Sequence, residues 1–217
     1  MMIDTKEHIL QTALSLFAKN GYAATSLSSI AGELGMTKGA LYRHYSNKQD
    51  IFDSIVERMF QLDAERAKEH QVPEETFNEE PEGYRDVSIE SVTTFIGSQF
   101  AFWTENEFGR NFRRLLTLEQ YRDPHMADLY QKCFARGPMD YMEDVFRQMI
   151  EEGTLPGTDP QRLALDFFAP FHLLMSVFDG SPDHAEASQL YAQHVTGFFE
   201  RICPTSPLQT EPKNSKR

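Results

Sequence analysis

Cysteine is scarce in this chain of 217 residues: there are two, Cys133 and Cys203, far apart and outside any CxxC. That excludes a disulfide framework and a metal knuckle. No segment holds the roughly 18 uninterrupted apolar residues of a membrane helix. The opening MMIDTKEHIL lacks the basic start and apolar centre of a secretory leader, so a cytoplasmic protein without membrane attachment is expected. Enzyme signatures are missing as well. Seven histidines occur, none in HExxH; no GxSxG elbow appears, and no glycine-rich phosphate loop follows a strand. The acidic residues are scattered along solvated faces, so neither catalysis nor a metal or other cofactor is expected. Strand alternation and internal repeats are also absent.

Basic charge is in deficit, with 21 Lys and Arg against 33 Asp and Glu and a net charge of −12. Taken over the whole chain this disfavours nucleic acid, but exposed charges are screened beyond about 8 Å at physiological salt and must be counted by region. Residues 1–50 carry five basic and four acidic groups, net +1, so the remainder carries −13. A near-neutral module on an acidic body adheres weakly to arbitrary DNA and relies on specific contacts. What the chain has in excess is aromatic and sulfur-bearing bulk: 17 Phe, 8 Tyr and 9 Met, which favour a large or hollow interior. The length suits one compact body with a small attached module.

Helical spacing runs through the whole chain. A first helix starts near Asp4 or Thr5 and buries Ile9, Leu10, Ala13, Leu14 and Phe17, stopping at Asn20-Gly21. Thr25 or Ser26 caps a second helix whose inner face is Leu27, Ile30, Ala31 and Leu34, closed by Gly35. A short third helix starts at Thr37 and turns Leu41 inward. Ser46 and Gln49 read as a capping box for a fourth helix with Ile51, Phe52, Ile55, Val56, Met59 and Phe60 inside. The acidic, proline-broken stretch from His70 to Asp86 reads as a loop. Further helices follow from Ser88 to Trp103, Phe108 to Leu118, Pro124 to Ala135 and Gly137-Pro138 to Gly153. Two long ones, opened by Asp159-Pro160 and Ser181-Pro182, close the fold, the first expected to kink at Pro170. The division predicted is a reader over 1–47, a body over 48–203 and a disordered tail over 204–217.

The second and third helices form a helix-turn-helix, a motif that places its second helix in the major groove of double-stranded DNA. Lys38 suits guanine O6 or N7, Gly39 allows close backbone approach, and Ala40 fits a thymine methyl. Thr37 adds a hydroxyl to the helix N-terminus, while Tyr42 and Lys48 suit phosphate contacts that fix register. Arg43 either faces the groove or turns toward Glu33 or solvent, and His44 is a groove residue or an ordinary surface histidine. Leu41 and Tyr45 read as packing residues.

These residues resemble the tetracycline-repressor (TetR/AcrR) family of bacterial transcription regulators over roughly Ile9 to Phe52. The likeness rests on A-x-x-L-F-x-x-x-G-Y (Ala13 to Tyr22), T-S-L-x-x-I-A (Thr25 to Ala31), L-G-M-T-K-G-A-L-Y-R-H-Y (Leu34 to Tyr45) and the N-K-Q-D-I-F close, in that order and spacing. The resemblance implies an all-α homodimer of about nine helices per subunit, three binding an operator and the rest sensing a small molecule. Carried over by position, Lys38, Gly39, Ala40, Tyr42 and His44 match residues facing the groove or its phosphates. Thr25, Ser26, Thr37, Tyr42 and Lys48 match backbone-phosphate positions.

The aromatic body supplies candidates for an apolar effector cavity: Phe95, Phe100, Trp103, Phe112, Tyr121, Met126, Tyr130, Met142, Phe146, Phe168, His172 and Met175, with His172 the polar residue of most interest. Each of these also reads as ordinary core. Leu163, Phe167, Phe171, Leu174 and Phe178 with Leu190, Tyr191, Val195, Phe198 and Phe199 exceed one core stripe, which suggests a four-helix dimer interface. An architectural DNA binder without a ligand is the competing reading, and it leaves the aromatic body unexplained.

Overall fold

A computed structural model describes residues 5–85, 87–181 and 184–203. Among them there are ten α-helices and no strand: α1 Thr5–Asn20, α2 Leu27–Glu33, α3 Lys38–Leu41, α4 Lys48–Glu69, α5 Ile89–Thr104, α6 Glu107–Glu119, α7 Pro124–Phe134, α8 Arg136–Glu151, α9 Pro160–Val177 and α10 Ala185–Ile202. The all-α class is as expected, and α7 and α8 are divided only at Ala135, which brings the count close to nine. The expected tail and Pro182 lie outside the described residues.

Periodicity fixes the small N-terminal unit. Ile9, Leu10, Ala13, Leu14 and Phe17 of α1 are buried against Ile30 and Ala31 of α2, Leu41 of α3 and Tyr45. Burying each such side chain contributes about 1.5–3 kcal/mol, so the short α3, too brief to persist alone, is held by the one residue it turns inward. Gly21 ends α1 at φ +87°, a conformation that costs side-chain-bearing residues strain.

The helix starts settle one choice and correct one expectation. Ser26, rather than Thr25, caps α2, its hydroxyl accepting from Ser29 N–H while Ser29 Oγ accepts from Ser26 N–H. Asn47, rather than Ser46, caps α4: Asn47 Oδ1 accepts from Asp50 N–H at 3.0 Å, and Asp50 Oδ2 accepts from Ser46 N–H at 2.7 Å. Two overlapping cap sequences compete there, and the carboxylate is the stronger acceptor. Gln49 is thereby left to accept from the Tyr22 hydroxyl at 2.8 Å.

In the body, α5 and α6 approach closely at Gly109, where an added Cβ would lie 2.4 Å from the Phe102 carbonyl oxygen. α8 packs on α9, and α10 on α5 and α9. The helix α9 stays helical through Pro170 to Val177. The stretch after α4 is loop, as expected, apart from a 3-10 turn at Pro81–Tyr84 that buries Tyr84. α6 also lies along α1, so the body touches the N-terminal unit through α6 as well as through α4.

Candidate nucleic-acid interface

The α3 surface is exposed for reasons the fold alone does not supply. Thr37 caps α3, its Oγ1 accepting from Ala40 N–H at 3.1 Å, and Lys38, Gly39, Tyr42, Arg43 and His44 all face solvent, with Ala40 half-buried. Tyr42 keeps 48 % of its surface exposed, high for an aromatic, and the Lys38 ammonium lies 5.7 Å from its ring centre. At Gly39 an added Cβ would meet nothing in the subunit closer than Thr37 Oγ1 at 4.0 Å, so the space over its backbone is open. Leu41 and Tyr45 are buried, as their spacing predicts. No ion pair between Arg43 and Glu33 is seen among the described residues, and Arg43 points to solvent.

Two residues expected to touch phosphate are turned to internal work. The Thr25 side chain is buried, its hydroxyl donating toward Gly21 O at 2.9 Å and Leu16 O at 3.2 Å, which pins the link between α1 and α2. Lys48 donates to Tyr22 O at 2.7 Å, Thr25 O at 3.0 Å and Ala23 O at 3.4 Å, with its ammonium 4.3 Å from the Tyr22 ring centre. Burial lowers the Lys48 pKa, partly offset by the Glu119 charge. A hydroxyl or ammonium that reads as a phosphate donor serves equally to satisfy backbone carbonyls left by a turn. Ser26 stays exposed at the α2 start.

Tyr22 is also where the body takes hold. Glu119, at the end of α6 and only 4 % exposed, accepts from Tyr22 N–H at 3.0 Å, with Arg122 Nη1 3.6 Å away. At its midpoint α6 is tied to the turn after α9: Arg113 and Arg114 both pair with Asp179, and Arg114 also donates to the Asp179 carbonyl at 3.2 Å. Sequence spacing gave no sign of Glu119, since a buried carboxylate at the end of an amphipathic helix looks like a solvated one.

The twelve residues expected to line an effector cavity do not form one group. Trp103, Phe112 and Tyr130 meet around Phe134, with ring centres 4.6, 6.4 and 5.6 Å from it, and His172 lies edge-on to Tyr130 at 6.5 Å. Phe134 is not among the expected twelve, although Met126, Tyr130 and Phe134 repeat every four residues along α7. Phe100 and Phe168 pack on Phe171, while Met126, Met142 and Met175 are buried in the same core. Phe95 stands apart with His70 and Tyr141, and Phe146 joins Phe167 and Phe198. Tyr121 is a correction: it is 88 % exposed on the link between α6 and α7, where no helix covers it. A cleft of about 180 Å³ between α1 and α4, lined by Lys6, Glu7, Tyr45 and Arg58 among others, includes none of the twelve.

The dimer stripe needs correction too. Leu163, Phe167, Phe171, Tyr191, Val195, Phe198 and Phe199 are buried within the subunit's own core, and Leu174 and Phe178 are half-buried. Leu190 is 42 % exposed, and the apolar surface left open on α9 is Leu165, Leu173 and Val177 at 47, 61 and 65 %. Helical spacing marks an apolar face but not whether the same chain or another covers it.

Among the described residues, no helix is long and apolar enough to cross a membrane. Residues 9–55 match the family described as bacterial regulatory proteins, tetR family. The HTH-type transcriptional regulator AcrR of Shigella flexneri is 46 % identical over 54 residues, 25 % of this chain and 25 % of that protein. The biofilm operon icaADBC negative regulator IcaR of Staphylococcus epidermidis is 38 % identical over 55 residues, 25 % of this chain and 30 % of that one. The chain thus spans only about a quarter of these relatives' length. The solved SmeT–triclosan complex has a TM-score of 0.69 at 20 % identity, covering 99 % of this chain and all of that one. A Saccharomonospora viridis regulator in complex with choline gives 0.63 at 20 % identity, covering 91 % of this chain and 96 % of that one. At these identities the likeness extends to the fold of the whole chain.

Proposed function

We propose that this chain, a member of the tetR family of bacterial regulatory proteins through its residues 9–55, is a ligand-responsive repressor that binds a palindromic operator as a homodimer in the cytoplasm. The carrying observation is the α3 surface, where Lys38, Tyr42, Arg43 and His44 project without an internal role while Gly39 leaves the backbone bare. Thr37, Lys38, Gly39, Ala40, Tyr42, Arg43 and His44 enter the major groove, with Ser26 at the phosphate. Lys48 and Thr25 hold the reader's shape rather than touching DNA. The functional division falls near residues 47 and 48, the N-terminal unit reading and the rest sensing and pairing.

The second copy covers Leu165, Leu173, Val177 and Leu190, the apolar positions α9 and α10 leave open. Two recognition helices on one face of B-DNA must lie about 34–36 Å apart or a multiple of it, so a shift of a few ångströms prevents simultaneous docking. Movement reaches the reader along α6, held by Asp179 at Arg113 and Arg114 and bonded to Tyr22 through Glu119, and along α4. An apolar effector acts by fitting one of two dimer arrangements better than the other. The test is operator affinity, by fluorescence anisotropy, with and without a compound shown by calorimetry to occupy the body. A difference of tenfold or more is expected, on the order of the usual coupling free energies. Equal affinity in both conditions contradicts the ligand-responsive part.

A further inference from the structure

The junction of α6, α7 and α9 carries an imbalance of buried charge. Arg113 is the one cation among the described residues that is buried in the subunit. A buried cation is costly unless paired and fully hydrogen-bonded. Its pairing is incomplete on two counts. Asp179 must serve Arg114 as well, so one carboxylate faces two guanidinium groups. The Arg113 Nε, moreover, is buried without a partner, as is the Nε of Arg110 one turn earlier. Across the junction, His172 on α9 holds a buried Nδ1 without a partner, its ring 6.5 Å from that of Tyr130 on α7. Tyr130 also feels the Arg113 charge, which partly counters a pKa rise due mainly to burial. Trp103, Phe112 and Phe134 form an apolar wall behind it.

We infer that the effector is an apolar molecule bearing a carboxylate, which Arg113 and His172 receive between α6 and α9 while its hydrocarbon part lies toward Phe134 and Trp103. This rests on the ligand-responsive reading above and adds the chemical class. An ammonium compound would face two guanidinium groups with one acid between them. A neutral apolar compound would leave the buried donors unmet, a loss that polar sites use to reject ligands lacking the matching group. A carboxylate supplies the missing acceptor and shares the Arg113 guanidinium with Asp179. Loosening that tie frees α6 at its middle, about two turns before Glu119, which holds Tyr22 of the N-terminal unit.

The chain's single tryptophan, Trp103, reports on this junction without any DNA present. The probes are 4-phenylbutyrate, 4-phenylbutanol and 4-phenylbutylammonium, titrated into the full-length protein while Trp103 emission is followed. The butyrate should bind at least about tenfold more tightly than the alcohol, the order expected of one charge-assisted hydrogen bond, with the ammonium weakest. Arg113→Gln should abolish the preference, so that within this variant the butyrate and the alcohol bind alike. Because Arg113 also braces α6, Asp179→Asn provides a second arm: removing the internal counterion should tighten the butyrate and not the alcohol. Alcohol or ammonium binding as well as the butyrate, a preference that survives Arg113→Gln, or no saturation by any probe to about 10 mM overturns the inference. Selection of a palindromic duplex together with preference for the alcohol would overturn this inference alone. Carboxylate binding as expected by a protein that selects no duplex would overturn the regulatory reading instead.

Discussion

The recognition surface and the body interior use the same residue types to opposite ends. On α3, Tyr42 and Lys38 face water and touch little but each other, while in the body Tyr191 is buried, stacked on Phe100 at 4.8 Å and edge-on to Phe171 at 5.2 Å. The surface is a set of side chains the subunit does not need, and the interior is a set that need one another. A site on the first can be recognised from exposure alone. Within the second, an unmet hydrogen bond does not by itself separate a binding residue from core, since the Tyr191 hydroxyl lacks a partner as the Arg113 and His172 nitrogens do.

Substitutions sharpen this contrast, beginning with the face that neither region satisfies alone. Leu173→Glu combined with Val177→Glu should yield a monomer by analytical ultracentrifugation and weaken operator binding about 100-fold or more, the loss expected when two half-sites are no longer linked. A dimer that persists would assign pairing to another face. Next in size is Glu119→Ala, which deprives the Tyr22 N–H of its acceptor at a nearly closed joint. A loss of about 1–3 kcal/mol in denaturant unfolding is expected, with reduced response of DNA binding to effector. Wild-type stability and response in this variant would remove α6 from the coupling path.

Lys38→Ala and Lys48→Ala test the division of labour within the reader itself. Lys38→Ala should relax base preference by about 1–3 kcal/mol at one position and leave thermal stability unchanged. Lys48→Ala should lower the melting temperature, because three carbonyls lose their donor, and weaken binding alike on every sequence. The reverse pattern would restore Lys48 to direct contact.

The smallest effect is one of pH. Tyr84, Tyr141 and Tyr191 have pKa values raised from the usual phenol value, mainly by burial. A raised folded-state pKa contributes stability that is intact below the unfolded value near 10 and is lost as pH climbs above it. Phenolate absorbance should therefore appear for these residues together with unfolding above about pH 10, and independent titration near pH 10 would show them open to solvent. Burial also pushes the Cys133 thiol up to about 12, so it should resist thiol reagents at pH 8 until the protein unfolds.

Much of this was legible in the sequence where periodicity decides. The apolar stripe of α1, the inward Leu41 and Tyr45 and the starts of α5, α7 and α9 follow from spacing and cap residues. Where two chemical roles share one residue type, spacing fell short. A hydroxyl at position 25 and an ammonium at position 48 suit phosphate or carbonyl equally, and the choice depends on chain segments more than 20 residues away for Lys48. The aromatic stripes of α9 and α10 failed in the same way, because self-burial and burial by a second copy leave identical patterns. Asp179, which ties α6 to the end of α9, carries no local signature at all.

The most direct measurement is selection of bound sequences from a pool of random duplexes by the purified protein. A two-fold symmetric site is predicted, with half-sites about one helical turn apart or a multiple of it, and with Lys38→Ala altering preference at one symmetric pair of positions. Enrichment of no sequence, or of a site without two-fold symmetry, would contradict a paired molecule reading DNA through residues 37 to 44.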